Sequence, residues 1–279
     1  MNQQASRFNG FWSRFNGFWS LFRWHAGRER GRFCMFLLFS ALFTALVVFI
    51  SDSMMPTDVQ QMISQMPDFV QKMAGDFTRE KLTEELWIAL LFEHPIIVTL
   101  LLAFPISGAL KGMHTSIQDG TLEPVLAQPL SRSTYFFSLA ALLGLGGILL
   151  AFGNTAAAYL SAEAFYPGNV RFSYVFQLGI SAAALAIATS GLSLLCSAAP
   201  IRSTLWLIGL LVLCMMLKFL ATMWEPVSWI DRFSLFGYYE PRGIMLNGFA
   251  LSQLIGLIAI GIGLHIAAWW TFNRRALTF

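Results

Sequence analysis

The chain predicts an all-α membrane protein that crosses a bilayer six times, with both termini inside and amphipathic interfacial helices around the spans. Three observations carry this. Of 279 residues, 56% are hydrophobic and only 12% charged, whereas soluble domains carry about a quarter charged residues. The mean hydropathy is +0.62, more apolar surface than one water-soluble core absorbs at this length. Six apolar stretches each approach the ~20 residues that a helix needs to cross about 30 Å of hydrocarbon.

The spans run from Phe33 to Ile50, Trp87 to Leu110, Tyr135 to Leu160, Phe172 to Cys196, Thr204 to Met223 and Phe249 to Phe272. Charge orients them. With both termini inside, the cytoplasmic pieces hold eleven basic residues (Arg7, Arg14, Arg23, Arg28, Arg30, Arg32, Lys111, Arg132, Arg202, Arg274, Arg275) against Glu29, Asp119 and Glu123. The rest of the chain holds seven basic and twelve acidic residues, so the division is +8 against −5. Excess Lys and Arg on cytoplasmic loops favours this N-in, C-in arrangement. The resulting domains are an arm or elbow helix over 1–32, a membrane domain over 33–272 and a tail over 273–279. Within the membrane domain lie an outer loop (51–86), a cytoplasmic segment (111–134) and an outer surface or re-entrant segment (224–248). No cleavable leader is expected, because the first apolar stretch follows thirty-odd polar and aromatic residues.

Residues 7–20 repeat Arg-Phe-Asn-Gly-Phe-Trp-Ser twice. Phe8, Phe11, Trp12, Phe15, Phe18, Trp19 and Phe22 recur at the spacing of one helix face, with arginines, asparagines and serines opposite. The pattern predicts an interfacial anchor with its aromatic rings in the headgroup layer. Gly10 and Gly17 weaken it by about 1 kcal/mol each. A coiled coil is disfavoured by the bulky rings, and membrane headgroups account for the features without nucleic acid.

In the outer loop, Val59, Ile63, Met66, Val70, Met73 and Phe77 fall at helical spacing, with Pro67 dividing the run. Thioethers hold soft metals, but Met54, Met55, Met62, Met66 and Met73 have no His or Cys beside them, and a packing face is the simpler reading. Cys34, Cys196 and Cys214 sit in or beside apolar runs and read as small hydrophobes. No metal site is expected.

Polar groups at membrane depth are costly and draw attention. Glu93 and His94, just before Pro95, are candidates for a pathway or gate, as is Asn154; a structural or rim role for the pair stays open. Asn154 and Thr155 suit an interhelical hydrogen bond, and Gly144, Gly146 and Gly147 permit close helix approach. Lys218 is placed to snorkel outward without needing a partner, and His265 reads as a packed neutral histidine. The chain has no Gly-x-x-x-x-Gly-Lys-Ser/Thr phosphate loop, His-Glu-x-x-His or Gly-x-Ser-x-Gly motif. It is read as a non-enzyme that binds no cofactor, so any energised transport must draw on a partner.

The main polar island is Asp119-Gly120-Thr121-Leu122-Glu123 followed by Leu126-Ala127-Gln128-Pro129-Leu130-Ser131-Arg132. With the tail Phe272-Asn273-Arg274-Arg275-Ala276-Leu277, it resembles the permease subunits of ABC-2 type ATP-binding-cassette transporters. Ser116-Ile117-Gln118-Asp119 departs from the charged pair usual in that family, and Ala276 from its tail aspartate. The resemblance implies a half-transporter in the bacterial inner membrane, paired with a second copy or a related permease and seated on separate cytoplasmic ATPase subunits that bind ATP and Mg. It implies that His114, Asp119, Gly120, Thr121, Leu122, Glu123, Pro129 and Arg132 couple the membrane domain to the ATPase. Export of an amphipathic, peptide or lipid-like cargo is then expected. A carrier or channel independent of an ATPase, and a non-transporting scaffold, are the alternatives.

Overall fold

The computed structural model describes residues 3–53, 65, 83–128, 130–199 and 203–275, with residues 3–15 in backbone only. Every regular element among them is helical. Helix α1 (Gln3–Ser53) is 51 residues long, about 76 Å at 1.5 Å per residue. It passes residue 32 unbroken, where an elbow between arm and span is expected from the sequence. No proline interrupts it.

The second apolar run is cut instead. Helix α2 (Glu84–Glu93) is capped by Thr83, whose hydroxyl accepts from Leu86 N, and carries Glu84 and Glu85 at its positive end. His94 is extended at ψ 129° because it precedes Pro95, which disfavours helical backbone in the residue before it. Helix α3 (Pro95–Ala109) then starts afresh and continues through a π-helical Leu110–Thr115 to Gln118. The span is therefore Pro95–Gln118, displaced along the chain from the expected Trp87–Leu110, and Glu93 lies in the helix before it. A short α4 (Glu123–Leu126) precedes α5 (Arg132–Phe165), α6 (Phe172–Ala198) and α7 (Ser203–Met223). Two 3₁₀ segments, Glu225–Phe233 and Leu235–Tyr238, lead to α8 (Pro241–Asn247) and α9 (Leu251–Arg274).

Among the described residues, five helical stretches are long and apolar enough to cross a membrane: Asn16–Ser51, Pro95–Gln118, Arg132–Phe165, Phe172–Ala198 and Leu251–Arg274. Helix α7 adds a shorter apolar stretch, Leu205–Lys218. The protein is an all-α, polytopic membrane protein. Its apolar side chains stay exposed on the bundle's outside, as with Leu38, Leu42 and Leu46 of α1, Ile208 and Val212 of α7, and Ile262 and Ile266 of α9.

Two parallel pairs organise the bundle. Along α1 and α5 the contacts Ser40–Asn154, Thr44–Asn154, Ser51–Tyr166 and Val48–Tyr166 keep sequence separations of 114, 110, 115 and 118. Along α6 and α9, Ser190–His265 and Ala198–Arg275 keep separations of 75 and 77. Helix α6 runs antiparallel to α5 and fits it through small residues. A Cβ on Gly147 would lie 2.9 Å from the Ala186 Cβ, and one on Gly179 would lie 2.4 Å from Thr155 Oγ1. Close backbone approach of this kind stands in for a hydrophobic driving force inside a membrane. The bundle thus has a near end, where Leu130, Ala198 and Arg275 gather with the α1 arm, and a far end, where α2, the 3₁₀ segments and α8 gather. The helices expected between Val59 and Phe77, with their methionines, and Pro129 lie outside the described residues.

Candidate coupling site

At the near end α3 widens before it stops. In the π-helical turn the Ser116 hydroxyl donates to Lys111 O at 2.9 Å, and Tyr135 of α5 donates its hydroxyl proton to Gly112 O. Gly112 lets Leu139 pack close, since an added Cβ would sit 2.8 Å from Leu139 Cδ1 and push that side chain aside. Asp119 ends the helix and Gly120 takes φ +68°, a left-handed conformation that costs glycine least. The chain turns back: Leu122 N donates to Ser116 O at 3.0 Å and Glu123 N to Gly120 O at 3.1 Å. Leu122 is the anchor of the turn, 1% exposed in the core. Asp119, Thr121, Glu123 and Pro124 are left exposed. His114 behaves differently from these. It is half-buried, and its Nδ1 has no hydrogen-bond partner among the described residues.

Arg132 is engaged inside the chain. Its Nη1 donates to Arg275 O at 2.8 Å, while Arg275 Nη1 donates to Ala198 O at 3.1 Å and Ala199 O at 3.2 Å. One relay therefore ties the start of α5 to the ends of α9 and α6, satisfying carbonyls that a helix end leaves open. Ser131 caps α5, accepting from Thr134 N at 3.0 Å. Trp269 Nε1 donates to Ser133 Oγ at 3.0 Å beside it.

The α1 arm lies along the same loop. A Cβ on Gly17 would meet Leu130 Cδ2 at 2.7 Å, Leu21 is buried in the core, and the His25 ring stands 5.1 Å from that of Tyr135. The rings of Phe18, Trp19 and Phe22 cluster, with Trp19 and Phe22 centroids 5.3 Å apart. Trp24 stacks under Arg28 at 4.6 Å. Trp19 and Trp24 remain exposed. The side chains of Phe8, Phe11, Trp12 and Phe15 lie outside the described set.

Glu93, His94 and Asn154 are not brought together. Glu93 pairs with Arg242 of α8 at 2.7 Å, next to Phe92, whose carbonyl accepts from the Tyr239 hydroxyl at 2.9 Å. Lys218 does have partners: it donates to Phe236 O at 2.8 Å and Tyr239 O at 2.6 Å, so its ammonium ties α7 to the far end. The other end of α2 is held by Arg171, whose Nε donates to Glu85 at 2.9 Å. This hydrogen-bonded guanidinium holds the Glu85 carboxyl below its usual range. His94 faces the Phe43 ring. Asn154 is buried between α5 and α1, accepting from Ser40 at 2.8 Å and from Thr44. His265 Nδ1 lies 2.8 Å from Gly261 O, which can only accept, and its Nε2 3.2 Å from Ser190 Oγ. That suits a packed ring with its proton on Nδ1. No three His, Cys, Asp or Glu gather as a metal site among the described residues.

A family model described as "Multidrug efflux system permease Rv1217c, C-terminal domain" matches residues 29–273. The chain belongs to this family. It is the permease subunit of an ABC-2 type ATP-binding-cassette transporter, a non-enzymatic membrane subunit of a kind that works with ATPase subunits. No curated protein matches it. In the permease, sequence reasoning found the exposed turn but missed its supports. The π-helical turn is a local irregularity that no residue type alone marks, and the Arg132–Arg275 relay behind the turn joins residues far apart in sequence, as does the Glu93–Arg242 pair at the other end. Only Gly112, a small residue near a helix end, hinted at one of them.

Proposed function

We propose that the permease exports amphipathic cargo from the cytoplasm across a bacterial inner membrane, as two copies seated on cytoplasmic ATPase subunits. The near end is the cytoplasmic side, and the exposed Asp119–Glu123 turn is the contact that the ATPase moves. One observation carries this reading: a buried Leu122 anchors a turn whose Asp119, Thr121 and Glu123 all face outward. A rigidly seated polar turn on a helix end is suited to receive a push and pass it into α3. His114 and Arg132 act behind the turn, the first within its helix and the second as a brace.

Six crossings with both termini inside agree with this. Arg275 and the arm share the near end through Arg132 and Leu130, and α7 leaves that end to meet Phe236 and Tyr239 at the other. An even number of crossings follows only if α7 crosses. The arm (1–32), the membrane domain (33–272) and the tail (273–279) are then the functional parts. The apolar bundle and the family's multidrug description favour drug-like or lipid-like amphipathic molecules.

The test is Glu123→Lys, with Asp119→Lys beside it, in the complex with its ATPase. Loss of ATPase association or of transport is expected, with the permease still folded and membrane-inserted. Unchanged association and transport in both variants would remove the coupling role.

A further inference from the structure

The α1 arm is collinear with the first span, and this changes what the arm can touch. An interfacial anchor must turn away from its span to lie in the membrane plane. Here the α1–α5 register that holds from Ser51–Tyr166 to Ser40–Asn154 continues into the arm, with His25 beside Tyr135 and Gly17 against Leu130. Helix α1 has no break over this length. It therefore does not end at the coupling loop. Residues 3–16 carry it past Leu130 by about 20 Å of further helix.

Gly17 against Leu130 is the outermost arm contact among the described residues, and α1 continues beyond it. Around that contact α1 keeps Trp19 and Trp24 exposed, with Arg23, Arg28 and Arg30 also facing out. The second copy of the repeat, residues 14–20, supplies the Phe18–Trp19 part of the ring cluster. The first copy, residues 7–13, repeats the same residue order one heptad further out. The family match begins at residue 29, so the arm lies outside the part shared with the family model.

We infer that residues 3–24 form a strut that runs alongside the cytoplasmic ATPase subunit, giving it a second contact next to the Asp119–Glu123 turn. The inference rests on that turn facing the ATPase, as proposed above. Aromatic side chains at a protein contact bury large area and tend to dominate its energy. Placed beside the coupling turn, they restrain the ATPase against sliding as the turn is loaded. The arm is then a protein-binding element, where its composition alone suggests a lipid anchor.

The experiment places a photo-cross-linking residue at Ser20, at Asn16 or at Gln128 in the full permease–ATPase complex in native membranes. All three positions are exposed. Adducts from Ser20 and Asn16 to the ATPase are expected, with Gln128 as the reporter for the coupling turn. Adducts from Ser20 and Asn16 only to lipid, or only to a second permease, while Gln128 still captures the ATPase, overturn the strut and leave the coupling turn standing. Capture from Ser20 without capture from Gln128 overturns the coupling turn and, with it, the strut's placement beside that turn. Capture from none of the three in a complex that co-purifies overturns both. As a second readout, Trp12→Ala with Trp19→Ala lowers co-purified ATPase about tenfold at unchanged permease yield, and Trp19→Phe restores most of it. Unchanged recovery overturns the strut.

Discussion

Lys218→Met isolates the tie between α7 and the far end. The wild-type ammonium donates to Phe236 O at 2.8 Å and Tyr239 O at 2.6 Å, both in or just after the 3₁₀ segment Leu235–Tyr238. From there the Tyr239 hydroxyl reaches Phe92 O, and the adjoining Glu93 holds Arg242. Methionine keeps the packing of the stem and removes the charge. Each hydrogen bond from a charged donor contributes about 1.5–3 kcal/mol, and the relief of no longer burying an ammonium offsets part of the loss. The net cost is about 2–4 kcal/mol. It falls locally, because the lost acceptors belong to one short segment. Amide hydrogen exchange on the purified permease reads it directly. Exchange over 235–247 and 84–93 should rise about thirtyfold or more, with α6 unchanged, and Lys218→Arg should retain most of the protection. Exchange that stays at the wild-type level, or that rises evenly through α6, would refute the tie.

Three further outcomes follow from single contacts. Gly191→Ala puts a Cβ 2.7 Å from His265 Nδ1 and 3.0 Å from Gly261 O; it should cost about 1–3 kcal/mol in thermal unfolding, while Gly263→Ala, with nothing within 4 Å, is neutral or slightly stabilising. Gly120→Ala meets no neighbour within 4 Å but keeps φ +68°, so the expected loss is about 1 kcal/mol of backbone strain, with Gly120→Asn milder; equal stability of all three proteins would contradict the left-handed turn. Arg171 lowers the Glu85 pKa from its ordinary 4.5, so the pair's contribution is complete above that value and disappears as pH falls through the lower, folded value. Arg171 is 62% exposed, so solvent screens the pair and its contribution is small; Glu85→Gln should lower the melting temperature slightly at pH 7 and converge with wild type once the pH has fallen below the folded value, and a gap that persists in acid would rule the pair out as its cause.

The helical class and most of the apolar stretches were legible because hydropathy and length decide them locally. The polar turn was legible too, since Gly120 between Asp119 and Glu123 has few other uses between spans. The break at His94 was readable in principle from Pro95, yet the uninterrupted hydrophobicity of 86–92 and 96–104 hid it. What could not be read was pairing. Arg132 looks like a free charge in the sequence and is engaged because Arg275, more than a hundred residues away, ends α9 beside it. Glu93 could be read from the sequence as a pathway, structural or rim residue, and its pairing with Arg242 of α8 lies nearly 150 residues away in the chain. The arm's aromatic face reads as an anchor in the sequence, and the continued α1–α5 register adds that it is collinear with its span.

These placements single out α3 as the route between the two ends. It is irregular at both of its own ends, with a π-helical turn over Leu110–Thr115 and the break at His94. The first irregularity leads into the Asp119–Glu123 turn; the second joins α3 to α2 and so to Tyr239 and Arg242. The pairs α1–α5 and α6–α9 lack such joints, since each keeps one register along its length and resists sliding. A load applied at Asp119–Glu123 therefore reaches the far end most directly through α3, over about 36 Å of helix. That route separates two defects that would otherwise look alike. Glu123→Lys acts before α3 and should weaken ATPase association itself. Lys218→Met acts after it, and should leave the ATPase bound while transport falls; loss of ATPase binding in Lys218→Met would place the two ends on some other path.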